Sequence, residues 1–320
     1  MKWRLFIPER NKKRHGDTRK TEEGKTLCPS LITADGWDDY ELLDSGGFEK
    51  LERFGKYVTA RPEPQAIWQK SLSGKIWEEK ADAYFRKDAR NEERGIWERK
   101  PGMPEQWHVG YRYKRMRLKM RLGLTAFKHV GLFPEQAANW NYIYDTVEEL
   151  TAAGTKAAVL NLFAYTGGAT LAARAAGAEV THVDSVKQVV TWSNENMQAS
   201  GLDGVRWIVE DARKFVRREV KRGKRYNGII LDPPAYGRGA EGEKWILEKD
   251  IFALLSDCNT LLDEKGFVVL NLYSMGLSAL LAKGILQQVF GTSRITFGEL
   301  YFTDSFGKTL PLGVFARFKK

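Results

Sequence analysis

The segment IILDPPAYGRG, Ile229 to Gly239, ends an apolar run with an acid, two prolines and an aromatic ring. Proline fixes φ and has no N–H, so Pro233 and Pro234 would stiffen the chain and leave the Asp232 carboxylate and nearby carbonyls as acceptors. Acceptors held in that way can orient an amino group or ring nitrogen of a planar substrate while Tyr236 stacks on its ring. For an in-line displacement, positioning of this kind is most of the catalytic task. The competing reading is a proline-stiffened loop with a capping acid and a packing tyrosine, so the elements that carry the segment have to decide.

From Ala157 onward, short apolar runs alternate with helical stretches: AAVLNLFA, GATLAARAAG, EVTHVD, VKQVVTWSNENMQASG, VRWIVED, ARKFVRREVKRG, YNGIILD, FALLSDCNTLLDEKG and FVVLNLYS. This succession implies βαβ units and a mostly parallel, doubly wound sheet, closed by a C-terminal antiparallel hairpin in ITFGELYFTDSFGKTLPLGVFARFKK. Ligands of such sheets bind beyond the carboxyl ends of the strands. At the first exit, LNLFAYTGGATLAARAA, Gly167 and Gly168 let the backbone approach a ligand, and the helix opening near Ala169 offers N–H groups to a carboxylate. The spacings that seat a pyrophosphate, GxGxxG and GK[ST], are missing. Asp184 ends the second strand, where it can accept from both ribose hydroxyls. Asp211 follows the third, within reach of an adenine amino group or, equally, as a helix N-cap. With Asp232, three acids end successive strands. A nucleoside that carries an amino-acid group and no phosphates suits all of them, and S-adenosylmethionine is such a molecule.

The segments VLNLFAYTGG, VDSVKQVVTWSNEN, EDARKF and LDPPAYGRG, in this order, resemble the class I S-adenosylmethionine-dependent methyltransferases, and among them the bacterial large-subunit rRNA methyltransferases that modify cytosine C5 or guanine N7. The resemblance runs from about Phe127 to Ser274 and more loosely to the C-terminus. It implies a Rossmann-like fold, with Phe163, Tyr165, Thr166 and Gly167 around the methionine part of the cofactor, Asp184 at its ribose, and Asp211 with Ala212 at its adenine. GLFPEQAANW looks like the short motif these enzymes carry ahead of the domain, which adds Phe133 and Gln136; Ala137 stands where the motif usually has arginine. Members that act on cytosine C5 need a cysteine near the fourth or fifth strand tip, because that carbon becomes nucleophilic only after a thiolate adds to the ring. This chain has DPPAY and NLYSM there, and Cys258 falls inside a helical stretch as a buried structural thiol. A guanine or adenine nitrogen is therefore the expected acceptor, with Asp232, Pro233 and Tyr236 at the target. No extra small β-barrel RNA-binding module is recognised ahead of the first half, so a different or unassembled RNA region is expected as substrate.

Residues 1–125 are rich in Trp, Tyr, Arg and Lys, broken by polar turns, and read as a smaller β-rich domain ahead of a catalytic domain over 126–320. In YRYKRMRLKMRL, the residues Arg115, Arg117, Lys119 and Arg121 alternate with Met116, Leu118, Met120 and Leu122, which in a strand puts the cations on one face. They are candidate RNA contacts, with a solvated outer sheet face as the plain alternative. A net charge of +10 over 320 residues suits a polyanionic partner such as RNA. The first 25 residues are basic and resemble a poorly ordered arm. Two cysteines without CxxC spacing, no apolar run of membrane length and no signal-peptide pattern point to a cytoplasmic protein away from membranes. His108, His129 and His182 show no metal-ligand spacing, and Trp245 could close over a substrate or simply pack. Rival readings are a methyltransferase of protein or small molecules, and a catalytically idle RNA-binding protein that retains the fold.

Overall fold

The computed structural model describes residues 28–34, 36–88, 91–239, 241–273 and 276–320; the basic arm at the start of the chain lies outside them. The first half comprises β1 (Ser30–Ile32), β2 (Tyr40–Gly46), β3 (Glu49–Phe54), β4 (Tyr57–Pro62), α1 (Gly74–Lys80), β5 (Ala83–Asp88), β6 (Asn91–Arg99), β7 (Gln106–Tyr113) and β8 (Met116–Gly123). Strands β2 to β6 form a five-stranded sheet in sequence order, with α1 bridging the one parallel pair, β4 and β5. Ser73 caps α1 by accepting from the Ile76 N–H, and the buried Trp77 donates its indole N–H to Asp44 at 2.8 Å.

Strands β7 and β8 form a separate hairpin. Along β8, Met116, Leu118, Met120 and Leu122 are buried, while Arg117 and Lys119 are exposed and Arg121 is half-buried, as alternation requires. The expected four-cation strand face loses one member. Tyr113 pairs with Met116 across a two-residue turn in which Lys114 has φ 48°, so Arg115 sits in the turn and not on the strand.

The second half continues with a 3-10 turn (Pro134–Gln136), α2 (Ala137–Ala152), β9 (Ala158–Leu162), α3 (Gly168–Ala175), β10 (Glu179–Asp184), α4 (Lys187–Ala199), β11 (Val205–Val209), α5 (Ala212–Lys221) and β12 (Tyr226–Leu231). Then come β13 (Tyr236–Arg238), β14 (Lys244–Ile246), α6 (Leu247–Leu261), β15 (Leu262–Leu272), α7 (Ala279–Phe290), β16 (Thr296–Thr303) and β17 (Thr309–Lys319). The helix expected over FALLSDCNTLLDEKG stops at Leu261, because Leu262 onward already pairs with β12. Eight strands form one sheet in the order β1, β16, β17, β15, β12, β9, β10, β11; β17 is antiparallel to both neighbours and every other pair is parallel.

Both faces of this sheet are covered, which is why its strands read as unbroken apolar runs. Leu160, Leu162, Ile229, Leu231, Val268 and Leu270 pack with Phe215, Leu254, Leu255 and Leu286 of α5, α6 and α7. Alternate residues Val159, Ile230 and Val269 pack with Ile143, Val147 and Ala173 of α2 and α3 on the other face. The first half is joined to this body, since β1 pairs with β16 and one apolar cluster contains Tyr40, Phe54, Trp107 and Met120 together with Leu132, Trp140, Leu171 and Phe315.

Charge is buried at that junction. Arg61 donates to Glu52 at 2.6 and 3.1 Å, Tyr40 donates to the same carboxylate at 2.9 Å, and Lys50 lies 3.2 Å from Glu63. Glu52 is held below the usual carboxylate range by Arg61 and Lys50 in spite of its burial. Removing one partner of such a pair leaves a charge stranded away from water, at a cost of about 3 to 5 kcal/mol. Arg61→Ala is therefore expected to lower the urea midpoint by that equivalent at constant slope, and a shift equivalent to less than about 1 kcal/mol would assign the pair no stabilising role.

Candidate active site

The reactive rim arises from a change in residue type along one sheet face. Toward α2 and α3, Val159, Ile230 and Val269 are apolar, but two residues further on the same face carries Asn161, Asp232 and Asn271. These polar groups line a cleft open to solvent, together with Phe133, Gln136, Asn139, Trp140, Phe163, Tyr165, Thr166, Gly167 and Gly168. Of the residues expected from the sequence, Phe133, Gln136, Phe163, Tyr165, Thr166, Gly167 and Asp232 are brought together there. Gly168 allows the close approach that forms one wall, because a Cβ on it would fall 2.2 Å from the Trp140 ring.

The loop from Phe163 to Gly167 is strained and firmly held. Phe163 and Tyr165 have φ of 54° and 49°, and Gly167 has φ of 91° at the start of α3. Such conformations persist when surrounding bonds fix them. Asp184 accepts from the Tyr165 N–H at 3.0 Å, Ser193 donates to the Tyr165 carbonyl, Thr166 donates to the Gly131 carbonyl at 2.7 Å, and Asn196 donates to the Thr166 carbonyl at 2.9 Å. Asp184 also accepts from its own turn at the Val186 N–H, 2.9 Å away. Burial pushes its carboxyl up, opposed by these backbone donors.

The three acids end β10, β11 and β12 at one edge of the sheet, and the Glu210 N–H bonds the Asp184 carbonyl at 3.1 Å, setting Asp211 beside Asp184. Asp211 is the N-cap of α5: its Oδ1 accepts from the Arg213 and Lys214 N–H groups at 2.9 and 3.1 Å, and Arg213 also reaches both carboxylate oxygens. The capping alternative is thus realised there, with Oδ2 held among the described residues by one 3.3 Å contact.

Among the described residues Asp232 has no cationic neighbour. Burial raises its carboxyl from the ordinary 3.8 to about 6, against one donor, the Asn271 side-chain amide, whose Nδ2 is 2.7 Å from Oδ1. Asn271 is itself buried, and its Oδ1 has no hydrogen-bond partner among the described residues. The cleft therefore presents Asp232 and the Asn271 oxygen as acceptors. Asn271 went unnoticed in the sequence because it sits inside FVVLNLYS like a stray polar residue; its signal is that it shares strand parity with Asp232. Asn161 was missed for the same reason. It begins a buried chain in which it donates to Thr170 at 2.9 Å, Thr170 meets His182 Nδ1 at 2.9 Å, and burial pulls His182 down to about 3.

The Asp-Pro-Pro stretch differs from expectation in one respect. One lone pair of the Pro234 carbonyl is already taken, because the Trp245 indole N–H donates to it at 2.7 Å. Trp245 is a packing residue, 3% exposed and 4.9 Å from the Phe163 ring. Tyr236, in the small β13–β14 hairpin, is 54% exposed and free to meet a planar group. Cys258 is buried and its thiol pushed well up by burial, so no thiolate forms there. Among the described residues no His, Cys, Asp and Glu group could hold a metal ion, and no helix is long and apolar enough to cross a membrane.

Residues 137–287 match a family model described as conserved hypothetical protein 95. A solved S-adenosylmethionine-dependent methyltransferase from Agrobacterium tumefaciens is 36% identical, with a TM-score of 0.83 over 91% of this chain and 93% of that one. A second solved methyltransferase, complexed with S-adenosylhomocysteine, is 20% identical with a TM-score of 0.66 over 87% of this chain and 75% of that one, a likeness of fold. The ribosomal RNA large subunit methyltransferase K/L of Shewanella frigidimarina is 29% identical over 175 residues, 52% of this chain and 23% of that protein. This chain thus matches about a quarter of the length of that curated relative.

The raised Asp232 carboxyl has a consequence for stability. A folded-state value near 6 above an unfolded value near 3.8 means that the folded protein binds this proton more tightly, so the associated stability is present below about pH 4 and lost as pH rises through about 6. Asp232→Asn removes that loss. The variant is expected to gain up to about 3 kcal/mol over the parent between acid and neutral pH. Urea melts across that range check it, and a difference that does not change with pH would show that Asp232 titrates normally.

Proposed function

The chain belongs to the S-adenosylmethionine-dependent methyltransferases, and from that premise we propose that it methylates a base nitrogen of RNA, ribosomal RNA being the substrate class, in the cytoplasm. The observation that carries this reading is the acceptor pair Asp232 and Asn271 beside the strained loop at the end of β9. S-adenosylmethionine supplies a methyl group on a sulfonium, and the protein's task is to bring a nitrogen lone pair in line with it. We assign Phe133, Gln136, Phe163, Tyr165, Thr166 and Gly167 to the methionine part, Asp184 to the ribose, and Asp211 with Ala212 to the adenine. An N–H of the target base donates to Asp232 while Tyr236 stacks on its ring, and Pro233 fixes the chain between them. Ionised above about pH 6, the Asp232 carboxylate can take up the proton that the nitrogen sheds. Acceptors without a thiolate favour a hydrogen-bearing nitrogen over cytosine C5.

The RNA part of the reading is supported by the curated relative's name, by the net charge of +10 and by the cations of the β7–β8 hairpin. Those cations are not equivalent. Arg115 is paired with Glu148, and Arg121 lies 3.1 Å from Glu195 and over the Trp192 ring. Arg117 bonds the Lys114 and Met116 carbonyls and has no acidic partner among the described residues, and Lys119 is exposed. We assign all four to the RNA face, with Arg117 and Lys119 contributing most.

Incubation with tritiated S-adenosylmethionine and total RNA from a strain lacking the protein, followed by nucleoside mass spectrometry, is expected to yield one methylated base with the label on nitrogen. Asp232→Asn should slow the incorporation by the equivalent of about 2 to 4 kcal/mol. Label in C5-methylcytosine, or in protein and not in RNA, would overturn the assignment. Replacing Arg117 and Lys119 by Gln should reduce the slope of log affinity against log salt for single-stranded RNA by about 1.4, each phosphate contact being worth roughly 0.7. An unchanged slope would place the RNA face elsewhere.

A further inference from the structure

The turn between β2 and β3 holds a side chain that its backbone disfavours. Gly46 pairs with Glu49, so Gly47 and Phe48 are the two central residues of the hairpin, with φ of 59° and 63°. A two-residue turn with both φ positive is the geometry that Asn-Gly or Gly-Gly adopts without strain. Gly47 meets it. Phe48 does not, since a Cβ in the left-handed region crowds the following carbonyl. The conformation is imposed by backbone bonds that need no phenyl ring: Gly47 N–H to the Trp68 carbonyl at 2.7 Å, Phe48 N–H to the Ala66 carbonyl at 2.8 Å, and Glu63 N–H to the Phe48 carbonyl at 2.8 Å. Burial of the ring does not repay the strain, because Phe48 is 54% exposed, and Ile67 in the adjoining loop is 68% exposed.

The turn is linked to the rim of the cleft. Glu63, bonded to the Phe48 carbonyl, accepts at its carboxylate from the Tyr273 hydroxyl at 3.1 Å. Tyr273 lies 6.2 Å, ring to ring, from Phe133 of the cleft wall, and two residues before it Asn271 holds Asp232. The backbone of an exposed, strained aromatic residue is thus linked through Glu63 and Tyr273 to the wall of the cleft, on the side contributed by the first half. Strain retained without packing gain is found where function uses the side chain.

We propose that Phe48 is a stacking platform for an unpaired RNA base next to the target nucleotide, an inference that rests on the RNA reading above. A base drawn out of its stack loses neighbours on both sides, and an exposed aromatic ring on the protein surface linked to the cleft through Glu63 and Tyr273 replaces one of them for any base sequence.

The test uses two readouts of opposite sign. Phe48→Gly relieves the backbone strain, so the melting midpoint should hold or rise, while affinity for fluorescent oligouridylate and oligoadenylate should fall roughly five- to a hundredfold. The salt slope should not change, because no phosphate contact is removed. Phe48→Trp should keep the affinity, and Phe48→Asn, which tolerates the left-handed conformation, should reproduce the loss. A lower midpoint with unchanged affinity would overturn the inference and make the ring a packing group. Loss of self-association in sedimentation, without loss of RNA affinity, would overturn it in favour of a second copy of the chain. If the parent protein binds neither oligonucleotide, the RNA reading itself fails; if it binds both and Phe48→Gly binds equally well, only the stacking platform does.

Discussion

A carboxylate set at the buried end of a central strand must be held by something other than water, and the architecture around the cleft follows from that need. Among the described residues the Asp232 carboxylate has one partner, the Asn271 amide, and no cation close enough to settle its charge. A salt bridge there would have locked the carboxylate as a structural anion, as Arg61 does to Glu52 in the junction between the halves. A single neutral donor instead fixes its orientation and leaves its protonation responsive to what arrives. Two parallel strands, β12 and β15, supply the two groups from equivalent positions beyond paired registers, so their geometry rests on backbone pairing and not on loop packing.

The same economy joins the first half to the strained loop that follows β9. The Asn196 oxygen of α4 accepts from the Arg121 N–H on β8 at 2.7 Å, while its amide nitrogen donates to the Thr166 carbonyl at 2.9 Å. One buried amide therefore bonds the cationic strand on one side and the strained loop on the other. The Trp192 indole adds a bond to the Arg121 carbonyl at 3.0 Å, and the Ser200 hydroxyl meets the Lys119 N–H at 2.9 Å, so polar groups of α4 cover part of the edge of β8. Tyr111 and Tyr113 of β7 reach Asn141 and Asp145 of α2 in the same manner. A displacement of the hairpin by bound polyanion would be felt at Thr166 through bonds a single residue long.

Much of this was legible in the chain because it depends on period and punctuation. Strand and helix alternate visibly after Ala157, glycines mark the first strand exit, and acids mark the next three. What could not be read was direction and occupancy. The run YRYKRMRLKMRL has no glycine, asparagine or proline to announce its turn, so Arg115 looked like part of a strand. Nothing local tells that Trp245 will take the Pro234 carbonyl, or that Asn271 faces Asp232, since both contacts link segments brought together by the sheet. The Glu52, Arg61 and Lys50 cluster was equally silent, because charged residues in strands ordinarily face solvent.

In Asp211 and Asp184 the bonds that hold the fold leave acceptor capacity unused. A carboxylate has about four lone-pair sites, and an N-cap uses them at one oxygen. In Asp211 the two helix N–H groups converge on Oδ1, and among the described residues Oδ2 has one 3.3 Å contact, to the Arg213 guanidinium that Asp250 and the Lys244 carbonyl also hold. In Asp184 each oxygen accepts one backbone N–H, which spends half the capacity and fixes the plane of the group. An acceptor whose orientation is set by the fold loses little freedom when a hydroxyl or amino group donates to its remaining lone pairs, so the bonds that hold the strand ends together also lower the entropic cost of binding there.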